Sequence, residues 1–156
     1  MEEQILFSEK QYFRQWWLWL ILIFLNGIAL YKLVSQTTEN NFIPIVIQTI
    51  LTILFLILRL ETQIKSDGIY VRFFPFHLQF KHYTWNSLSK IFVRSYSPIG
   101  EYGGWGIRGI RKNRAFNISG NEGLQLEFLD HKRLLIGTKK SELIVDVLTQ
   151  VGQLKR

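Results

Sequence analysis

The chain contains no cysteine, which removes disulfides, thiolate metal sites and thiol nucleophiles together. It also lacks any acidic cluster of the kind that holds a metal or works as a carboxylate pair, and no G-x-S-x-G elbow surrounds any of its serines. Histidine is sparse, at three residues. His77 and His82 lie five apart on one expected strand, hence on opposite faces, and cannot share a metal, while His131 falls in a turn. These absences lead to the expectation of a protein that is not an enzyme, with no catalytic residues, no cofactor and no metal site.

Charge is also absent, from two long stretches. "WWLWLILIFLNGIALY" (Trp16–Tyr31) and "FIPIVIQTILTILFLIL" (Phe42–Leu58) carry none over 16 and 17 positions. Each falls slightly short of the roughly 20 residues that cross a hydrocarbon core. Interfacial Trp16, Trp17, Trp19 and Tyr31, with flanking Lys32 and Arg59, extend them. A cleaved signal peptide fits the first run poorly, because it starts late and ends in "LYKLV" rather than in a small-x-small site. The expectation is a transmembrane helical hairpin over residues 1–60, with spans at about 16–34 and 42–60. A polar loop within "KLVSQTTENN" joins the spans, and Pro44 sits in the first turn of the second helix. Lys10 and Arg14 precede the first span, Lys32 alone lies in the loop, and Arg59, Lys65 and Arg72 follow the second. The positive-inside rule then puts both termini in the cytoplasm.

Residues 1–60 have four basic and four acidic groups, so the net charge of +7 belongs to residues 61–156. Strands and turns fill that part. Asp67-Gly68 signals a hairpin inside "TQIKSDGIYVRFFPF", and "HLQFKHYTW", "SKIFVRSY", "RAFNIS", "LQLEFL" and "RLLIG" are further strand segments. The apolar positions Leu143, Ile144, Val147, Leu148 and Val151 follow a helical face, with Ser141 as N-cap of a helix running to about Leu154. About seven short antiparallel strands and a closing helix suit a small barrel over residues 61–156.

That order resembles the pleckstrin-homology (PH) superfold. "YGGWGIR" (Tyr102–Arg108), "AFNISGNEGLQLEF" (Ala115–Phe128) and "LLIGTKKSEL" (Leu134–Leu143) resemble the bacterial PH-like two-span membrane proteins. The resemblance implies an α+β membrane protein. In it, a two-helix transmembrane hairpin precedes a cytoplasmic PH-like seven-stranded antiparallel β-barrel with a C-terminal capping helix. It also implies a multi-pass protein of the bacterial inner (plasma) membrane, and hardly any chemistry.

Inside this domain "GWGIRG" (Gly104–Gly109) matches the G-x-G-x-x-G dinucleotide fingerprint, with Glu127 placed about 20 residues on. The fingerprint requires a helix after the turn, whereas "IRKNRAFNIS" follows with no helical period. Gly103, Gly104 and Gly106 are better suited to a strand bending at a corner. Trp105 is then either an inward core plug, the favoured arrangement, or an exposed anchor. The basic residues Arg108, Arg111, Lys112 and Arg114 fall between two expected strands, where they are candidates for docking on anionic lipid headgroups. Trp105 and Tyr102, if exposed, would anchor the same face. Protein recognition is the alternative, through a sheet edge, a groove beside the last helix, or self-association into a homo-oligomer. Nucleic acid fits poorly with two membrane spans.

Overall fold

The computed structural model describes residues 4–35, 42–110 and 112–155. The chain groups into two compact units, residues 1–11 with 59–156, and residues 12–58. The first unit is mixed α+β, and it takes in a strand that precedes the helices.

One sheet orders its strands β1 (Ile5–Tyr12), β2 (Arg59–Lys65), β3 (Gly68–Phe74) and β4 (Lys81–Thr84). In β1, Phe7, Glu9 and Gln11 alternate inward. Glu9 accepts hydrogen bonds from the Thr138 hydroxyl at 2.6 Å and the Lys139 N–H at 3.0 Å, and Gln11 donates to the Gly137 carbonyl at 2.7 Å. β2 and β3 form the expected hairpin, pairing Lys65 with Gly68 across a two-residue connection. Gly68 is required by β4 rather than by the turn, because a Cβ there would run into the Tyr83 carbonyl oxygen.

A 3-10 turn at Trp85–Ser87 then carries the chain out of this sheet. The second sheet contains β5 (Leu88–Ser95), β6 (Gly106–Ile110), β7 (Asn113–Asn117), β8 (Glu122–Phe128) and β9 (Arg133–Gly137), in the order β5-β8-β9-β7-β6. β7 and β9 pair in parallel, unlike the all-antiparallel expectation. In place of a seven-stranded closed barrel, the described residues form two sheets of four and five strands. The physical cause lies at two points. The Trp85–Ser87 turn separates β4 from β5, and β6 ends its sheet as an outermost strand.

The core is built from both sheets, with Leu60, Ile64, Ile69 and Phe73 buried from one and Ile91, Phe116, Leu124 and Ile136 from the other. The Phe73 and Phe116 rings meet edge-on at 6.4 Å. A short helix α3 (Pro98–Tyr102) links β5 to β6, and α4 (Ser141–Gln150) packs on β5 and β8 through Ile144 and Leu148. Lys140, not Ser141, occupies the N-cap of α4; its ammonium has no acceptor for the helix N–H groups, and the Ser141 hydroxyl donates to Glu122 at 2.6 Å. Past α4, Lys155 forms an antiparallel bridge with Ile91 on β5.

The second unit pairs two apolar helices, α1 (Trp16–Ser35) and α2 (Ile43–Ile57). Asn26 donates to the Thr52 hydroxyl at 2.9 Å, and Phe13 meets Phe55 edge-on at 5.6 Å. α1, with mean hydropathy 1.9 over its spanning window, is long and apolar enough to cross a membrane, whereas α2 has 15 residues. Pro44 lies in the first turn of α2 as expected, and residues 36–41 of the connecting loop lie outside the described residues.

Candidate functional site

The glycine run resolves into a helix stop and a strand start. Ser97 caps α3, accepting from the Gly100 N–H at 3.1 Å, and Gly103 ends it in the left-handed region at φ 70°. Gly104 and Gly106 continue at φ 125° and 116°, and β6 leads into β7 with no helix to face a pyrophosphate.

This turn buries Tyr102, which is 8% exposed. Its ring meets Tyr96 edge-on at 6.0 Å and its hydroxyl donates to Asn113 Oδ1 at 3.3 Å. Burial pushes the Tyr102 hydroxyl up from its ordinary pKa, with Arg94 nearby pulling it down. Tyr102 is therefore a core residue and not a surface anchor. Arg94 holds α3 through Glu101, with Nη2 to Oε2 at 2.7 Å. Hydrogen bonds from Arg94 and from the Ser97 N–H keep the Glu101 carboxyl below the usual range. Trp105 is half-buried, short of the favoured core plug, and its indole N–H points at the Gly120 carbonyl at 3.5 Å.

The basic residues occupy a β-hairpin rather than a loop. Arg108 lies on β6, Arg114 on β7 and Lys112 in the connection, all exposed, while Arg111 lies outside the described residues. Register pairs Arg108 with Ala115 and Gly109 with Arg114. Side chains alternate along a strand, so Arg108 and Arg114 fall on opposite faces of the hairpin. Arg108 folds back, its Nε donating to the Trp105 carbonyl at 2.9 Å.

Arg114 instead borders a cavity of about 420 Å³. Buried Phe116 and Leu134 form its floor, and half-buried Tyr83 and Phe128, with ring centroids 5.4 Å apart, stand at its side. Asp130, Lys132 and Arg133 complete an exposed rim. Lys81 and His77 lie against the Phe116 ring, at 5.6 Å and 5.3 Å. Burial lowers the proton affinity of His77, and the charges of Lys81 and Arg114 lower it further. Burial and Arg114 lower that of Lys81 in the same way. Among the described residues, no group of three or more His, Asp and Glu could hold a metal ion.

Comparison with protein-family models, curated proteins and solved structures gives no match. The site therefore rests on its own geometry.

Of the sequence candidates, the structure brings only Arg114 to the cavity. Sequence reasoning missed Tyr83, Phe116, Phe128 and Lys132 as lining residues. One signal was present: Arg114 and Phe116 are two apart on one strand, so they share a face. The others come from different strands and meet only through the fold.

Proposed function

We propose that this chain is a membrane-anchored, non-catalytic binding module whose β unit docks on anionic lipid headgroups. In this reading α1 and α2 both span the bacterial plasma membrane, both termini are cytoplasmic, and the β unit is a PH-like domain. The resemblance over Tyr102–Arg108, Ala115–Phe128 and Leu134–Leu143 supports the last point. α2 alone is about 22 Å long, and flanking Phe42 and Leu58 lengthen its apolar stretch. The remaining mismatch to a core of about 30 Å is of the size that local thinning accommodates.

The observation that carries the reading is the β6–β7 hairpin. It presents Arg108 and Lys112 beside Ile110, which is 78% exposed, and neither cation forms an ion pair among the described residues. An apolar residue among unpaired cations suits an anionic interface, where each cation is worth about 1 kcal/mol. The test is hydrogen–deuterium exchange on the full chain in nanodiscs of neutral or partly anionic lipid. Anionic lipid is expected to slow exchange across Gly106–Asn117. Added salt, or the double change Arg108→Glu and Lys112→Glu, is expected to remove that protection. Identical exchange in both discs would sink the proposal.

A second reading has its own observation: β6 is the outermost strand of its sheet, open to strand addition by a protein partner. Protection of Gly106–Ile110 in native membranes but not in synthetic discs would favour it.

A further inference from the structure

We propose that the cavity beneath Arg114 is a binding site for a small soluble organic anion with a planar apolar body, such as an aromatic phosphate monoester. This site is separate from the hairpin surface invoked for lipid docking and does not depend on it.

Size and lining come first. About 420 Å³ lies in the range of small-molecule sites. Phe116 and Leu134 below, with Tyr83 and Phe128 at the side, offer aromatic faces to a flat ring. A body of two fused rings fits that space, whereas a two-chain lipid does not.

The charge balance then selects the sign. At the rim, Lys132 pairs with Asp130 at 2.5 Å and Arg133 with Glu127 at 3.3 Å. Those pairs are locally neutral. Arg114 and Lys81 have no ion pair among the described residues; Arg114 lines the cavity, and Lys81 Nζ lies 5.6 Å from the Phe116 ring that forms its floor. Burial and the Arg114 charge lower the proton affinity of Lys81. An anion held at Arg114 offsets that charge close to Lys81.

A further polar group is unused. His77 Nδ1 is buried with no hydrogen-bond partner, and its ring packs on Phe116. A buried imidazole nitrogen without a partner costs free energy that a ligand oxygen or its bridging water removes. Arg114 and the apolar floor thus line the cavity, while Lys81 and the His77 ring lie against Phe116, which is part of that floor.

The test uses the full chain in neutral nanodiscs, titrated calorimetrically with 1-naphthyl phosphate against an empty-disc blank. Inorganic phosphate and naphthalenemethanol are titrated separately, as the anion alone and the ring alone. Saturable binding of the naphthyl ester at one per chain, with neither fragment matching it, is expected. Arg114→Gln and Lys81→Gln should each weaken that binding about tenfold, as the loss of a charge-assisted contact does. The double change Arg108→Glu and Lys112→Glu should leave it unaltered, whatever it does to lipid docking. Absence of binding would overturn the proposal, as would equal binding of either fragment or insensitivity to both cavity substitutions. Loss of binding in anionic discs would also overturn it, since the occupant would then be a lipid headgroup.

Discussion

Glu61 is 2% exposed yet carries a charge, and its neighbours explain why. Arg72 Nη2 lies 2.9 Å from both carboxylate oxygens, and Arg59 Nε bonds Oε1. The guanidiniums themselves rest on aromatic rings, Arg59 on Phe74 at 4.6 Å and Arg72 on Phe80 at 4.5 Å. Burial pushes the Glu61 carboxyl up, but the hydrogen bonds and charges of Arg72 and Arg59 outweigh it and hold the group below its ordinary value. A carboxyl with a depressed folded-state pKa contributes stability above its unfolded pKa and loses it as pH falls through the folded value. Glu61→Gln is expected to destabilise the β unit by about 2 kcal/mol at neutral pH, the scale of hydrogen bonds to a charged group. The gap between wild type and variant should close as pH drops below about 4.5, read from thermal melts across an acid series. A gap that persists unchanged into strong acid would contradict the assigned role of the carboxylate charge.

At the scale of elements, β1 shows what a pattern of hydrophobicity can hide. Its inward residues are Phe7, Glu9 and Gln11, so two of the three positions that mark a buried strand face are polar. Their partners, Gly137, Thr138 and Lys139, lie more than 120 residues away. Glu9→Ala leaves the Lys139 N–H without its carboxylate acceptor and the Thr138 hydroxyl without the group it donates to. It is expected to cost about 1–3 kcal/mol, measured as faster hydrogen exchange through β9 and the start of α4. Unchanged exchange there would remove β1 from the account of stability. Other elements were legible for the opposite reason, that their signals are local. The apolar runs predict α1 and α2, the period after Ser141 predicts α4, and the Asp67-Gly68 turn predicts the β2–β3 hairpin. Two features gave no local signal: α3, five residues long and too short for a period, and the parallel pairing of β7 with β9. The candidate cavity follows the same rule. Arg114 was visible as part of a basic run, but Tyr83, Phe116 and Phe128 join it only because β4, β7 and β8 come together.

For the molecule as a whole, the helices are an insertion between two strands that are neighbours in one sheet. β1 ends at Tyr12, β2 begins at Arg59, and the other unit runs from Tyr12 to Leu58. A fragment starting at residue 59 or 61 therefore lacks a strand of its own sheet, together with Glu9 and Gln11 that satisfy the β9–α4 connection. Joining residues 1–12 to 59–156 through a glycine-serine linker restores it. One strand length, about 27 Å for eight residues, is the most such a linker has to span beside its neighbour. The joined chain is expected to be water-soluble and cooperative in denaturant, with β9 amides as protected as in the full protein. Residues 59–156 alone should unfold at lower denaturant, with β9 exposed. The comparison isolates the contribution of β1, because the two chains differ only in that strand and its linker. Equal midpoints would mean that the C-terminal strands are self-sufficient and that the pairing of β1 beside β2 contributes nothing to them.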